Sequence, residues 1–256
     1  MSNPFASAAM AAGYASDRPP MHARIMARVR DDLAERVPFQ RALDIGCGAG
    51  LSTAPLRPLA RQCVGLEPAR AMLVTSRTLV PEASFVVGSA VRLPFPAASI
   101  DLVAAAGSLN FMPLEEALDE IRRVITPDGV LVAYDWATAR EFVENPALDT
   151  WFAEFRTRYP RPPSEAIFLD PVTLAGYASA FTVTDAMTFA WPLTMTMEAY
   201  ERYMLTETNL AAAVRGGTPL DEIRAWCRAT LADVFAGRPR EVLFHGYIAY
   251  LCPRIG

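Results

Sequence analysis

The spacing of apolar positions changes several times along the chain. Over residues 21–36 they recur at helical intervals, with Ile25, Val29 and Leu33 on one side, which predicts an amphipathic helix. From Ala42 the pattern becomes short apolar runs separated by helical stretches. Ala42-Leu43-Asp44-Ile45, Cys63-Val64-Gly65-Leu66, Ser84-Phe85-Val86-Val87, residues 100–106 and Val130-Leu131-Val132-Ala133-Tyr134 read as strands. Helices are predicted at 50–61, 69–79 and 113–124, the last stopped by Thr126-Pro127-Asp128-Gly129. Strands alternating with helices imply a parallel sheet covered on both faces.

Beyond Tyr134 the rhythm breaks. Residues 137–170 are rich in aromatics, Arg and Pro, and no element is assigned there. Asp170-Pro171 opens a short helix leading to a strand near 181–190. A second interruption, about 194–240, is mostly helical at 197–205 and 220–236, and a final strand follows at 241–251.

The turn Asp44-Ile45-Gly46-Cys47-Gly48-Ala49-Gly50 leaves the first strand and enters the first helix, where a doubly wound sheet binds a nucleotide-like ligand. Glycines there let backbone approach a ligand closely. Glu67, at the end of the second strand, is placed to accept from two ribose hydroxyls. The spacing is G-x-G-x-G, whereas dinucleotide folds carry G-x-G-x-x-G. Asp44 also precedes the first glycine, where it would repel a pyrophosphate and favour a cationic ligand.

Composition narrows the chemistry. All 24 basic side chains are Arg, against 28 acidic ones, and the net charge is -4. With no lysine there is no Schiff base, no lysine general base and no phosphate loop ending in Lys-Ser or Lys-Thr. The acidic balance argues against a nucleic-acid partner. Four cysteines without framework spacing and no apolar run long enough to span a bilayer predict a cytoplasmic protein with no membrane partner. The first basic residue is Arg18, a poor fit to a secretory leader.

Asp-Ile-Gly-Cys-Gly-Ala-Gly, Val-Gly-Leu-Glu-Pro, Phe-Val-Val-Gly-Ser-Ala, Leu-Pro-Phe-Pro-Ala-Ala-Ser-Ile-Asp-Leu-Val and Arg-Val-Ile-Thr-Pro-Asp-Gly-Val-Leu-Val occur in order over about residues 40–136. In this the chain resembles the class I S-adenosylmethionine-dependent methyltransferases, in the small-molecule branch with ubiquinone-type and trans-aconitate-type enzymes (methyltransferase type 11 domain). The resemblance implies a seven-stranded, mostly parallel Rossmann-like α/β sheet whose last strand is antiparallel, under a helical cap formed by two insertions. It implies an arm and lid helix at 1–36, a cofactor core at 37–136, cap insertions at 137–170 and 193–240, and core elements at 171–192 and 241–256. S-adenosyl-L-methionine is the implied cofactor and S-adenosyl-L-homocysteine the product. Asp44, Gly46 and Gly48 match the motif for the methionine part of the cofactor, Glu67 the ribose acid, and Ser89 and Ala90 the adenine pair. Relatives often carry Asp where Ser89 stands. Gly107 and Ser108 match the position beneath the methionine chain, and Cys47, Gly50 and Pro68 belong to the same turns.

Candidates at the reacting centre are fewer. Leu109-Asn110-Phe111 falls where trans-aconitate-type relatives have His-Trp, so Asn110 takes that place without the histidine. His245, in an otherwise apolar last strand, is the candidate base, set against a core role; His22 reads as packing or surface. Tyr14, in Tyr-x-x-x-Arg-Pro-Pro, resembles a lid aromatic. Trp136, Trp151 and Tyr203 are candidate walls of a small-molecule chamber, set against a cap core of their own. Asp101 reads as a strand anchor, the Arg156–Arg161 cluster as a solvated face, and no metal site is predicted. The expected reaction is in-line transfer of a methyl group to a small carboxylate, phenolate or other O, N or C nucleophile. The alternatives are a cofactor-binding enzyme of rearrangement or cyclisation, and a non-catalytic partner subunit. Oligomeric state is left open.

Overall fold

The computed structural model describes residues 16–254. The first helix is α1 (Met21–Asp32), followed by β1 (Phe39–Ile45), α2 (Thr53–Leu56), β2 (Ala60–Glu67), α3 (Arg70–Leu79) and β3 (Ser84–Val87). Next come β4 (Ile100–Ala106), α4 (Leu114–Val124), β5 (Ile125–Trp136) and the two-residue β6 (Glu141–Phe142). The remainder is α5 (Ala147–Arg158), α6 (Pro171–Tyr177), β7 (Phe181–Met195), α7 (Met197–Met204), α8 (Thr208–Arg215), α9 (Leu220–Phe235) and β8 (Arg240–Pro253).

The sheet has eight strands in the order β3-β2-β1-β4-β5-β8-β6, with β7 also paired to β8. β1 to β5 are mutually parallel, and β8 runs antiparallel to β5, β6 and β7. The eighth strand is β6, which prolongs the β5 edge of β8 through Glu141↔Leu243 and Phe142↔Val242. Chain order reverses between β1 and β4, so the loops leaving those two strands part around a switch point.

Alternation along the strands builds two cores. Ala42, Leu102, Ala104, Val130, Val132 and Tyr134 face α1 and the cap; Leu43, Ile45, Val103, Ala105, Leu131 and Ala133 face α4 and α6. The predicted helix at 50–61 is shorter than expected. Only Thr53–Leu56 is α-helical, Arg57–Leu59 tightens into a 3-10 turn, and β2 already begins at Ala60. Pro58 sits within that turn, where its missing N–H cannot continue a helix.

Register locates the insertions. Gly246 lies beside Trp136 on one side and Phe189 on the other, and β7 runs on to Met195, paired with Arg240. The antiparallel β7–β8 pair therefore overshoots the carboxyl end of β5, and the second insertion leaves from there. The first insertion contains a helix, α5, that the sequence reading left unassigned, although Leu148, Trp151, Phe152 and Phe155 carry helical spacing and are all buried. The aromatic density of the segment hid that spacing. The two insertions share a core: Trp151 stacks on Phe155 and Trp226 (5.2 and 5.7 Å between centroids) and meets Tyr200 edge-on at 5.9 Å. Among the described residues no helix is long and apolar enough to cross a membrane.

Trp151 is 3% exposed, so truncation removes a large ring from a shared core. Trp151→Ala is expected to cost about 3–5 kcal/mol of stability, read from denaturant unfolding.

Candidate functional site

At the switch point the loops after β1 and β4 touch. The Ser108 hydroxyl donates to the Ile45 carbonyl at 2.6 Å. Gly46 has φ +69°, and a Cβ there would lie 2.5 Å from that of Ser108, so contact between the loops requires glycine. Gly48 and Gly50 continue the turn in the same left-handed region. The Gly46 and Cys47 N–H groups both donate to the Leu66 carbonyl, which draws the end of β2 alongside.

Asp44 is fully buried beneath this turn. One carboxylate oxygen accepts from the Ser52 and Thr53 hydroxyls at 2.7 and 2.6 Å. The other, Oδ1, is buried with no hydrogen-bond partner among the described residues. Burial pushes the carboxyl up to about 6; the Thr53 and Ser52 bonds oppose that shift and nearby Glu67 adds to it. Glu67, 9% exposed, closes the turn by accepting from the Ala69 and Gly48 N–H groups at 2.9 and 3.2 Å. Its carboxyl is also raised by burial. Two buried carboxylates, one with an unused oxygen, suit a ligand that carries an ammonium and hydroxyl donors. That is the donor set of the expected cofactor, so these residues fit it.

The other expected positions are distributed around the turn. Ala90 is buried and Ser89 exposed past β3, Pro68 immediately follows Glu67, and Gly107 and Ser108 form the β4 loop. Cys47 packs inward at 3% exposure, and burial pushes its thiol far up, which suits a packing residue. Asp101 accepts from the Arg41 N–H at 2.9 Å and anchors the start of β4.

Reacting-centre candidates separate. Asn110 follows β4 and donates to Asp135 Oδ2 at 2.9 Å, while its carbonyl accepts from Ile167 of the first insertion. Asp135 was missed by the sequence reading. Its signal is an acid interrupting an apolar strand at the carboxyl end. Gly107, at φ +60°, leaves room for it, because a Cβ would sit 2.7 Å from Asp135 Oδ1. Burial raises the Asp135 carboxyl against the Trp136 N–H, Asn110 and Arg18. His245 lies two residues past the level of Asp135, opposite Ala137, but its side chain is half exposed and paired with Glu141 at 3.2 Å. Trp151 and Tyr203 belong to the cap core and not to an open wall: the Trp151 indole donates to Thr230, and Tyr203 is fully buried, its hydroxyl accepting from the Ala139 N–H. Trp136 alone of the three sits at the strand end. Tyr14 lies outside the described residues. In the Arg156–Arg161 cluster, Arg158 pairs with Glu222 and Arg161 with Glu207. A groove of about 630 Å³ beside it is lined from 158–163, α8 and the start of α9, with nothing from the glycine turn.

An acid whose carboxyl is raised on folding stabilises the fold only while protonated, and that contribution is lost as pH rises through about 6. At pH 7–8 ionised Asp44 therefore opposes folding. Asp44→Asn is expected to raise stability there by on the order of 2 kcal/mol and to lose that advantage below pH 5, measured by denaturation across pH.

Comparison with known proteins agrees with this geometry. Residues 43–133 match the family model for the methyltransferase domain. The chain is 33% identical over 116 residues to a demethylmenaquinone methyltransferase of Beutenbergia cavernae, covering 45% of this chain and 48% of the relative. It is 38% identical over 109 residues to a trans-aconitate 2-methyltransferase of an Enterobacter species, covering 41% and 40%. The matches thus span about half the length of these relatives or less. Among solved structures, a putative type II methyltransferase from Anaeromyxobacter dehalogenans superimposes with a TM-score of 0.64 at 23% identity, covering 91% of this chain and 95% of that one, a likeness of fold. The segment built on this switch point, residues 43–133, thus matches a methyltransferase domain.

Proposed function

We propose that the chain transfers the methyl group of S-adenosyl-L-methionine to a small organic acceptor. The observation that carries this reading is the unpartnered oxygen of buried Asp44 beneath a glycine turn closed by Glu67. Asp44 and the Gly46–Gly50 backbone would hold the methionine part, Glu67 the ribose, Ser89 and Ala90 the adenine, with Gly107 and Ser108 beneath. When bound, the cofactor supplies an electrophilic methyl group on a sulfonium.

The chain's own contribution is then position and exclusion of water. Orientation at near-attack distance supplies several kcal/mol of a displacement barrier, and a cap over the strand ends strengthens the electrostatics below it. Asn110, held by Asp135, is the side chain assigned to the reacting centre. His245, turned to Glu141, is assigned no proton transfer, so the acceptor is one that arrives ionised or acidic. The arm, core and cap boundaries at residues 36, 136, 170, 192 and 240 follow as the working division of the chain. A small-molecule partner in the cytoplasm, with no nucleic acid or membrane involved, completes the reading.

Incubation with S-adenosylmethionine and a panel of small carboxylic acids, phenols, quinols and amines is expected to yield S-adenosylhomocysteine together with a methylated product. Binding without consumption would favour rearrangement or cyclisation, and no binding a non-catalytic subunit. By calorimetry, Glu67→Ala is expected to weaken S-adenosylhomocysteine binding by about tenfold or more. Wild-type affinity is expected to fall as pH drops through about 6, where Asp44 takes up a proton, and Asp44→Asn should abolish that step.

A further inference from the structure

Trp136 closes β5 with its ring fixed from two sides. His22 packs against it edge-on at 4.7 Å, and Tyr134 stacks at 6.5 Å. The indole Nε1–H is buried and has no hydrogen-bond partner among the described residues. Nearby polar groups are committed elsewhere: His22 Nδ1 pairs with the Tyr134 hydroxyl at 2.9 Å, and Asp135 Oδ1 accepts the backbone N–H of Trp136. Buried donors are nearly always satisfied, so a fixed and stranded one marks where a ligand atom belongs.

The second observation is a guanidinium at the same strand end. Arg18 acts electrostatically on His22 and on Asp135, the neighbours of Trp136 in space and in sequence. Its side chain is 15% exposed, pairs with Glu207 at 3.5 Å and lies 5.5 Å from the centre of the Tyr203 ring. Glu207 is in turn shared with Arg161 at 3.8 Å and accepts from Thr138 at 2.9 Å. Two guanidinia therefore share one carboxylate beside Thr138, two residues past Trp136.

We propose that Trp136 and Arg18 form the subsite that holds an oxyanion of the methyl acceptor, a carboxylate or phenolate oxygen. This rests on the methyl-transfer reading and names its substrate class. Indole and guanidinium offer donors only, so an amine gains nothing from them, and a neutral ester forgoes the charge-assisted bond. An acceptor held this way arrives already ionised, which removes the need for a base that His245 does not provide.

The test is calorimetric titration of the full chain, saturated with S-adenosylhomocysteine, at pH 8. The probes are benzoate, trans-aconitate and 4-nitrophenolate, with methyl benzoate, trimethyl trans-aconitate and 4-nitroanisole as uncharged counterparts. Wild type is expected to bind at least one anion at millimolar concentration or below and none of the neutral probes. The carboxylate and phenolate arms show which oxyanion is preferred. Trp136→Phe, which keeps a ring and removes the N–H, and Arg18→Gln are each expected to weaken anion binding by about five- to tenfold. Arg18→Lys should recover part of that loss, and melting curves show that each variant is folded. Equal binding of anions and neutral probes, affinity unchanged in both variants, or no anion binding at millimolar concentration would overturn the subsite. Titration with S-adenosylhomocysteine alone keeps the two readings apart. Its failure in wild type removes methyl transfer, whereas anion selectivity that follows Trp136 and Arg18 stands on its own.

Discussion

The architecture of the site depends on one close approach, between the loops that leave β1 and β4. A sheet whose chain order reverses there leaves a crevice, and its width is set by what the two loops can tolerate. Here they are drawn together until Ser108 bonds the Ile45 carbonyl, at a separation a single Cβ on Gly46 would prevent. The neighbouring seam obeys the same constraint, because Gly107 has no side chain where Asp135 needs space. The carboxylates of Asp44, Glu67 and Asp135 follow from that convergence, each buried because loops close over it.

Keeping carboxylates in such a place works against folding. Burial raises all three, and the hydroxyls and N–H groups supplied to them only partly offset that. The unused oxygen of Asp44 is the clearest sign that the arrangement is not optimised for the protein alone. The cap supplies compensation elsewhere. Trp151, Phe155, Tyr200 and Phe235 are buried where the insertions meet, and aromatic rings of that size give large apolar burial. Much of the cap's aromatic content is therefore cohesion.

How much of this was readable in the sequence follows from how local each signal is. The glycine turn, Glu67 and the alternation of strands with helices are encoded within short windows, and β1 to β5 lie where apolar periodicity places them. Asp101 was legible as an anchor for the same reason. Contacts made over long separations were not. Trp151 and Tyr203 read as chamber walls because an aromatic facing a cavity and one facing another helix share the same local pattern; the partners that settle it, Thr230 and Ala139, are 79 and 64 residues away. Asp135 left a faint trace, a polar residue ending an apolar strand. Glu207 left none, since its importance comes from Arg18, Arg161 and Thr138, which three separate segments bring to it.

The absence of lysine gains meaning in this setting. Every cation in the sequence is a guanidinium, which stays charged when buried and presents planar, paired donors. A lysine amine placed where Arg18 stands would shed its proton more readily under the cap, and one ammonium could not span carboxylate and ring in the same way. Glu207 is held by two guanidinia from different parts of the chain, Arg18 mostly covered and Arg161 more than half exposed. The stranded indole N–H lies at that strand end, on the side of β5 facing α1 and the cap. Charge that cannot be neutralised and a donor that cannot turn away are together selective for an oxygen anion, and they need no ionisable base to be so.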